Sequence, residues 1–347
     1  MTKKILFVGA INRQNPPANG EEYKNQILLG YLERGMDVVS IDTMAWSKDP
    51  KVLPSLIYHM MFPGYDSIVI SASSASVFKL LNFMRRFNGR MKKIIYFVIG
   101  GYYPTGISEG KYKAVAYQKL RSIVVEGDRM KKELISLGIL SPVHVVPNFK
   151  KIDRLWGHPS KYDEPRLRFI FVSRITDTKG VSLIFEALKD PRFHSLSESF
   201  KIDFYGPVEK EYKVTFEEGI RSSPNCNYCG YLDINNKRDE CYGMMSAYHV
   251  MLFPTFWMGE GFPGAIIDAL VCGIPVIASD WNMNSEVITE GFTGKLIPNK
   301  DVNALADAMI DAISDREKWR IMSENCHRQA LEFDTDAVLD KHIEKII

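Results

Sequence analysis

Cysteine is scarce and poorly placed for cross-linking. The five residues Cys226, Cys229, Cys241, Cys272 and Cys326 are odd in number, unevenly spaced and absent from the first 225 positions. That excludes a disulfide framework and points to a reducing compartment. Long apolar runs are missing as well; no stretch reaches the roughly 18 to 20 residues that a membrane-spanning helix needs. The opening "MTKKILFVGAINRQNPP" sets lysines before an apolar run, but the run is too short for a secretory core, lacks a small-residue cleavage site and leads into Arg13 and a proline pair. It reads as a first buried strand. Neither charge sign dominates: 44 Lys+Arg against 42 Asp+Glu leave a net +2, which gives no ground for nucleic acid as a partner. Low-complexity segments and short-period repeats are also lacking, so a disordered linker and a solenoid are excluded. The expectation is a cytoplasmic protein, or one held peripherally on the inner face of the cell membrane.

What is present is the composition of an ordinary globular protein, 46% hydrophobic and 25% charged. A chain of 347 residues exceeds one hydrophobic core and predicts two domains of roughly 150 residues each. Short apolar, β-branched runs alternate with helical patterns: "KILFVGA", "DVVSID", "SIVISAS", "KIIYFVIG", "SIVVEG" and "VHVVPN", then "RFIFVSR", "KIDFYG", "HVMLFP", "PVIASD" and "GKLIP". Strands of this kind are buried on both faces, and the alternation predicts an α/β protein with two doubly wound parallel sheets. The polar "NFKKIDRLWGHPSKYDEPR" marks the join. Expected boundaries are a first domain over 1–150, a linker over 151–165, a second domain over 166–316, and a last helix over 317–347 crossing back to the first domain. In such sheets ligands sit beyond the carboxyl ends of the strands, so functional residues should follow strands directly.

Two loops meet that condition. After "HVMLFPT" comes "EGFPGAIID", where Pro263 suits the start of a helix and the free amides of that start form an anion site. Gly261 and Gly264 allow close approach to the backbone. Helical spacing puts Ile266 and Leu270 on one face and Gly264 with Asp268 nearly opposite, so Asp268 is expected off the core stripe, able to point along the crevice and placed to accept from a ribose diol. Glu260 on the loop can reach another hydroxyl-rich group. After "RFIFVS", the loop "SRITDTKG" adds Arg174, a planar fork for phosphate oxygens, and Lys179, a mobile point charge. Together they can neutralise a diphosphate and the charge that grows on it as a bond to it breaks.

These loops, with "ALVCGIPVIASD" and "SEVITEGFTGKLIP" after them, resemble the donor half of retaining, nucleotide-sugar-dependent glycosyltransferases of the GT-B fold, family four, over roughly 166–315. In the first half the resemblance is limited to the opening strand, the Asn19-Gly20 loop and "HVVPNF". It implies two Rossmann-like domains facing a central cleft. It also implies that Arg174 and Lys179 hold the donor diphosphate, Glu260 a donor-sugar hydroxyl, the backbone from Phe262 through Pro263 to Gly264 the region of the distal phosphate and sugar, and Asp268 the ribose, with backbone near Tyr231 and Leu232 bordering the base. It further implies no metal and no cofactor, and transfer on one face of the sugar without a protein nucleophile. The partners implied are a nucleotide sugar, most simply UDP-linked, and a saccharide or lipid-linked saccharide acceptor, in the biosynthesis of a bacterial polysaccharide. The sequence departs from the family in two places. Asp268 stands where Glu is usual, and "YFVIGGYYP" offers Gly100 and Gly101 where many members carry a His. A nucleotide-sugar epimerase, an inverting transferase of the same fold and a catalytically silent donor-binding subunit are the alternatives.

Other patterns are weighed against simpler readings. "GAINRQNPPANG" is not a dinucleotide fingerprint and no helix is expected to begin where one would need it; Asn19-Gly20 reads as a turn, with contact to a donor phosphate or an acceptor as the functional alternative. "CNYC", with Cys241 and His249, invites zinc, but a strand edge would send thiols three apart to opposite faces. "DTD" at 334–336 caps the last helix more simply than it binds metal. Finally "FKLLNFMRRFNGRMKK", 78–93, carries six basic residues and no acid among apolar ones. It predicts either a basic amphipathic helix on an anionic membrane or a surface helix with solvated arginines.

Overall fold

The computed structural model describes residues 2–44, 49 and 51–347. Six parallel strands form the first sheet: β1 (Lys4–Gly9), β2 (Asp37–Asp42), β3 (Ser67–Ser73), β4 (Ile94–Ile99), β5 (Ser122–Val125) and β6 (Val143–Val145), in the order β2-β1-β3-β4-β5-β6. Six more form the second: β7 (Leu167–Val172), β8 (Phe200–Tyr205), β9 (Cys226–Tyr228), β10 (Val250–Phe253), β11 (Val276–Ser279) and β12 (Gly294–Ile297), in the order β12-β11-β10-β7-β8-β9. The central strands have no solvent face. In β1, Ile5 to Val8 are all buried, and so are all four residues of β10 and of β11. Without a polar face there is no period-2 alternation, and the strands read as continuous apolar runs.

Strand order fixes where a ligand can bind. In the first sheet the winding direction reverses between β1 and β3, and in the second between β7 and β10. At such a point the loops leave neighbouring strands in opposite directions and open a crevice at their carboxyl ends.

Two compact units emerge, residues 1–149 with 335–347 and residues 150–334. Each has its own core. Ile5, Phe7, Val69, Ile95 and Phe97 pack in the first with Val338, Leu339 and Ile343; Phe169, Phe171, Ile202 and Phe204 pack in the second with Trp319 and Met322. Residues 151–165 belong to the second unit rather than forming a free linker: Tyr162 joins its core, and buried Lys161 donates to the Gly273 carbonyl at 2.9 Å. The expected single helix over 317–347 is two. Arg316–Ala330 lies in the second unit and Thr335–His342 in the first, separated by a short 3-10 turn and by Asp334 in extended conformation.

Two local expectations change. Asn19-Gly20 is the start of a helix rather than a turn, and that helix runs from Gly20 to Glu33. Asn19 is its N-cap: its side-chain oxygen accepts from the Glu22 N–H at 3.0 Å while its amide donates to the Glu22 carboxylate at 2.8 Å. This reciprocal cap is the signal the sequence reading passed over. The basic stretch 78–93 is not one helix. Ser74–Met84 ends before Arg85, and a single turn, Asn88–Met91, follows. Asn88 and Gly89 are weak helix formers, and Met91 turns inward to be buried.

Candidate functional site

The loop after β7 is locked to its neighbours before it presents any charge. Thr176 caps the turn Asp177–Lys179 by accepting from the Lys179 N–H, and Gly180 follows with φ +80°. A Cβ on Gly180 would lie 2.0 Å from the Pro254 carbonyl, so the loop can press on the end of β10 only with glycine there. Lys179 is buried as a result. Its ammonium donates to Glu260 at 2.5 Å and sits 4.5 Å from the centre of the Trp257 ring. Arg174 is half-exposed, 3.3 Å from Glu209 and 5.0 Å from the same ring. Two cations thus gather on one indole, a favourable arrangement for each.

Glu260 comes from the loop after β10 and is also buried. It accepts from Lys179 and, at 2.9 Å, from the Thr255 hydroxyl. Asn282 donates to the Glu260 carbonyl at 3.0 Å, and the Trp281 indole to the Trp257 carbonyl at 2.8 Å, so the loop is clamped from the β11 side. Arg174, Lys179 and Glu260 therefore meet at the switch point of the second sheet. Trp257, Thr255 and Glu209 complete the group and were not anticipated. Trp257 had a signal, an aromatic residue in the loop between a strand and the "EGFPG" turn; Glu209 had none.

Beyond Glu260, Phe262 is buried against Phe333, and Pro263 precedes the helix Gly264–Val271 as its N-cap rather than its first residue. Asp268 is more enclosed than helical spacing alone indicates: it is 4% exposed, receives the Tyr242 hydroxyl at 2.6 Å and has the Lys150 ammonium at 2.9 Å. The reason is that Ile266, Ile267, Ala269, Leu270 and Val271 are buried too, so this helix has no free side. Helical periodicity separates faces, but it does not say that one of them is open.

Tyr231 and Leu232 follow the edge strand β9, Tyr231 60% exposed and Leu232 buried. Their loop is tied back to the site: the Gly206 N–H donates to the Gly230 carbonyl at 2.7 Å, and Gly206 packs so closely on Ser173 that a Cβ there would lie 1.7 Å from the Ser173 carbonyl. The loops after β7, β8 and β9 thus form one layer running from Tyr231 to Arg174.

In the first unit, the side chain of Asn19 is engaged by its capping bonds, whereas a Cβ on Gly20 would meet nothing within 4 Å. Packing therefore does not explain the glycine. Next to it Glu21 borders a pocket of about 220 Å³ at the switch point of the first sheet, lined by Ala10, Thr43, Ala72, Ser73 and Ser76 among others. Burial, with the neighbouring Glu22 charge, raises the Glu21 carboxyl above the ordinary range. Cys226 is buried on β9 and Cys229 beyond it is exposed. Burial pushes the Cys226 thiol up to about 12, unlike the thiolate that zinc takes. Asp334 accepts from the Ile152 N–H at 3.0 Å and Asp336 pairs with Arg34 at 2.6 Å, so both acids of "DTD" serve structure. Among the described residues no three His, Cys, Asp or Glu side chains form a metal-holding group.

The profile of the family described as "Glycosyl transferases group 1" matches residues 156–329, half of the chain, and includes every residue of the cationic site. The chain belongs to that family. Curated relatives agree: it is 26% identical over 148 residues to the amylovoran biosynthesis glycosyltransferase AmsK of Erwinia amylovora, covering 42% of this chain and 35% of that protein. It is 32% identical over 92 residues to the Escherichia coli UDP-Gal:alpha-D-GlcNAc-diphosphoundecaprenol alpha-1,3-galactosyltransferase, covering 26% and 23%. The aligned part spans less than half the length of the curated relatives it matches. Solved structures extend the likeness of the fold over both units. Sucrose-phosphate synthase from Thermosynechococcus elongatus superposes with a TM-score of 0.76 at 14% identity, covering 99% of this chain and 98% of that one. Anabaena Alr3699/HepE, solved with UDP-glucose, gives 0.69 at 16% identity, covering 99% of both. This group 1 member has the GT-B fold, two parallel six-stranded sheets with their helices.

Proposed function

We propose that this protein is a retaining glycosyltransferase of family four that moves a sugar from a UDP-linked donor to a hydroxyl of a saccharide or lipid-linked saccharide in the assembly of a bacterial polysaccharide. The observation that carries the reading is the meeting of Arg174, Lys179 and Glu260 around Trp257 at the switch point of the second sheet. A diphosphate takes up the two cations, and Lys179 then bridges it to Glu260, which accepts from a hydroxyl of the donor sugar. Amides at the start of helix Gly264–Val271 add partial positive charge. Tyr231 and Leu232 border the base. Asp268 takes the ribose when a ribose hydroxyl inserts at one of its bonds from Lys150 or Tyr242, donating to the carboxylate and accepting from the displaced donor, so that each group keeps a partner. The E. coli relative named for UDP-Gal and the HepE structure with UDP-glucose support uridine as the nucleoside.

In the reaction the C1–O bond to the diphosphate breaks while the acceptor oxygen bonds to C1 on the same face. The acceptor proton passes to the departing phosphate oxygen. Arg174 and Lys179 stabilise the charge that develops on that phosphate, the function for which preorganised cations are most effective. The acceptor falls to the first unit, where the pocket beside Gly20 and Glu21 offers hydroxyls and a carboxyl to a sugar. No divalent ion is needed in this scheme. The test is turnover of UDP-glucose, UDP-galactose and UDP-N-acetylglucosamine with a lipid-linked saccharide, with and without a chelator. Turnover should survive chelation and fall about 100-fold or more in Arg174→Ala; loss on chelation, or near-normal rates in the variant, would refute the assignment.

A further inference from the structure

We propose that the first unit docks on an anionic lipid bilayer through the joined outer sides of helices Val52–Met61 and Ser74–Met84. The inference adds a partner to the donor reading and does not depend on it. Both helices cross in the same direction along the first sheet, from β2 past β1 to β3 and from β3 to β4, and right-handed crossovers therefore put them on one sheet face. Their inner sides are buried at Leu56 and Met60, and at Val77, Leu81 and Met84. The segments that follow them are tied together: Arg90, in the turn after the second helix, donates to the Met61 carbonyl at 2.6 Å, and Lys93, just before β4, to the Tyr65 carbonyl at 2.5 Å.

The outer sides are unusual for a surface. Leu53, Ile57, Tyr58 and Phe62 stand exposed on the first helix and just after it, Tyr58 at 63%, and Phe83 and Phe87 stand exposed at the end of the second. Soluble monomers rarely gather apolar side chains this way without a partner. Charge decides which partner. Between positions 51 and 108 there are seven Lys and Arg and one acid, Asp66, whose carboxylate is engaged by the Lys4 N–H at 2.8 Å. Arg90 and Lys93 are engaged by backbone carbonyls, and Lys51, Lys79, Arg85, Arg86 and Lys92 are exposed on the same two helices and the segments that flank them. Five cations accompany these aromatic and aliphatic groups against two exposed acids, Asp66 and Asp49, the latter accepting from the Lys51 N–H at 2.9 Å, and this positive excess matches the boundary between anionic headgroups and acyl chains. The surface is not the single helix 78–93 that the sequence suggests: half of it comes from the apolar helix before β3.

Co-sedimentation of the full chain with phosphatidylcholine vesicles, with and without phosphatidylglycerol, tests this. Binding should require phosphatidylglycerol and weaken steeply as salt is raised. Arg85→Glu with Arg86→Glu should lower the partition coefficient at least about tenfold, and so should Tyr58→Ser with Phe62→Ser, with circular dichroism and UDP binding unchanged in both. Failure to bind phosphatidylglycerol vesicles, equal binding to neutral ones, or charge-reversed protein that binds as before would overturn the proposal. So would self-association of the wild-type chain that the Tyr58 and Phe62 variant abolishes, since a second copy would then cover the face. UDP binding is read separately, so loss of the donor site and loss of docking are distinguishable.

Discussion

The proposal gives Arg174 and Lys179 the same electrostatic task, but the two cations sit in opposite environments, and that difference is measurable. Arg174 is half-exposed and its pair with Glu209 is solvated, so its removal should cost the fold less than about 1 kcal/mol. Lys179 is 8% exposed at its side chain and Glu260 10%. Lys179→Ala leaves the Glu260 carboxylate buried with the Thr255 hydroxyl, and removing one partner of a buried pair costs roughly 3 kcal/mol or more. Both variants should lose turnover, yet only Lys179→Ala should shift the urea midpoint markedly. Adding Glu260→Gln to Lys179→Ala should recover part of that shift, because a neutral amide costs less to bury, and should recover no activity. Equal midpoints for the two single variants would mean that the Lys179–Glu260 contact does not carry the stability assigned to it.

At the scale of elements, strands were the most legible part of the chain. All eleven apolar runs quoted from the sequence are strands, and the edge strand β9 lies in "NCNYCG", because a strand buried on both faces is written as an uninterrupted run. Helix ends and surroundings were less legible. The Asn19 cap depends on a side-chain exchange with Glu22, the break after Met84 on where Met91 packs, and the enclosure of Asp268 on Tyr242 and Lys150, 26 and 118 residues away. The site residues could be listed, but their partners could not. One such partnership joins whole elements. His249, just before β10, accepts at Nδ1 from the Arg168 N–H on β7 at 3.0 Å, and its Nε2 lies 2.6 Å from the Lys161 carbonyl. The contact at Nε2 requires a proton there, so the clasp works with a neutral ring. Burial lowers the His249 pKa to about 4. The folded value lies below the ordinary 6.5, so the unfolded chain binds the proton more readily; the contribution is complete above pH 6.5 and is lost as pH falls toward 4. The second unit should therefore lose on the order of 3 kcal/mol across that window from this ring. His249→Gln, which can make both bonds without titrating, should remove that slope. Denaturation midpoints measured at several pH values in both proteins would show it, and parallel profiles would rule the clasp out as their cause.

At the scale of the whole molecule the two units differ in how the chain builds them. The second is continuous, residues 150–334, and closes its own core around Trp319 and Met322. The first is not. Its core includes Val338, Leu339, Ile343, Ile346 and Ile347, all nearly inaccessible, contributed by a segment that the chain reaches only after completing the second unit. Arg121 donates to the Ile347 carbonyl at 2.8 Å, and the Tyr31 hydroxyl to Asp340 at 2.6 Å, so polar bonds as well as packing hold that segment. Burying an aliphatic side chain contributes about 1.5 to 3 kcal/mol, so five of them amount to roughly 10 kcal/mol, as much as an entire domain usually has in reserve. A chain stopped after Asp334 should consequently leave β1 to β6 unprotected against hydrogen exchange, while β7 to β12 keep their protection and the Arg174 and Lys179 loops still bind UDP. Mass spectrometry of exchanged peptides separates the two sets of strands. Full protection of β1 to β6 in the shortened chain would show that the first unit does not need its returning segment; parallel loss in β7 to β12 would show that the second unit does not stand on its own core.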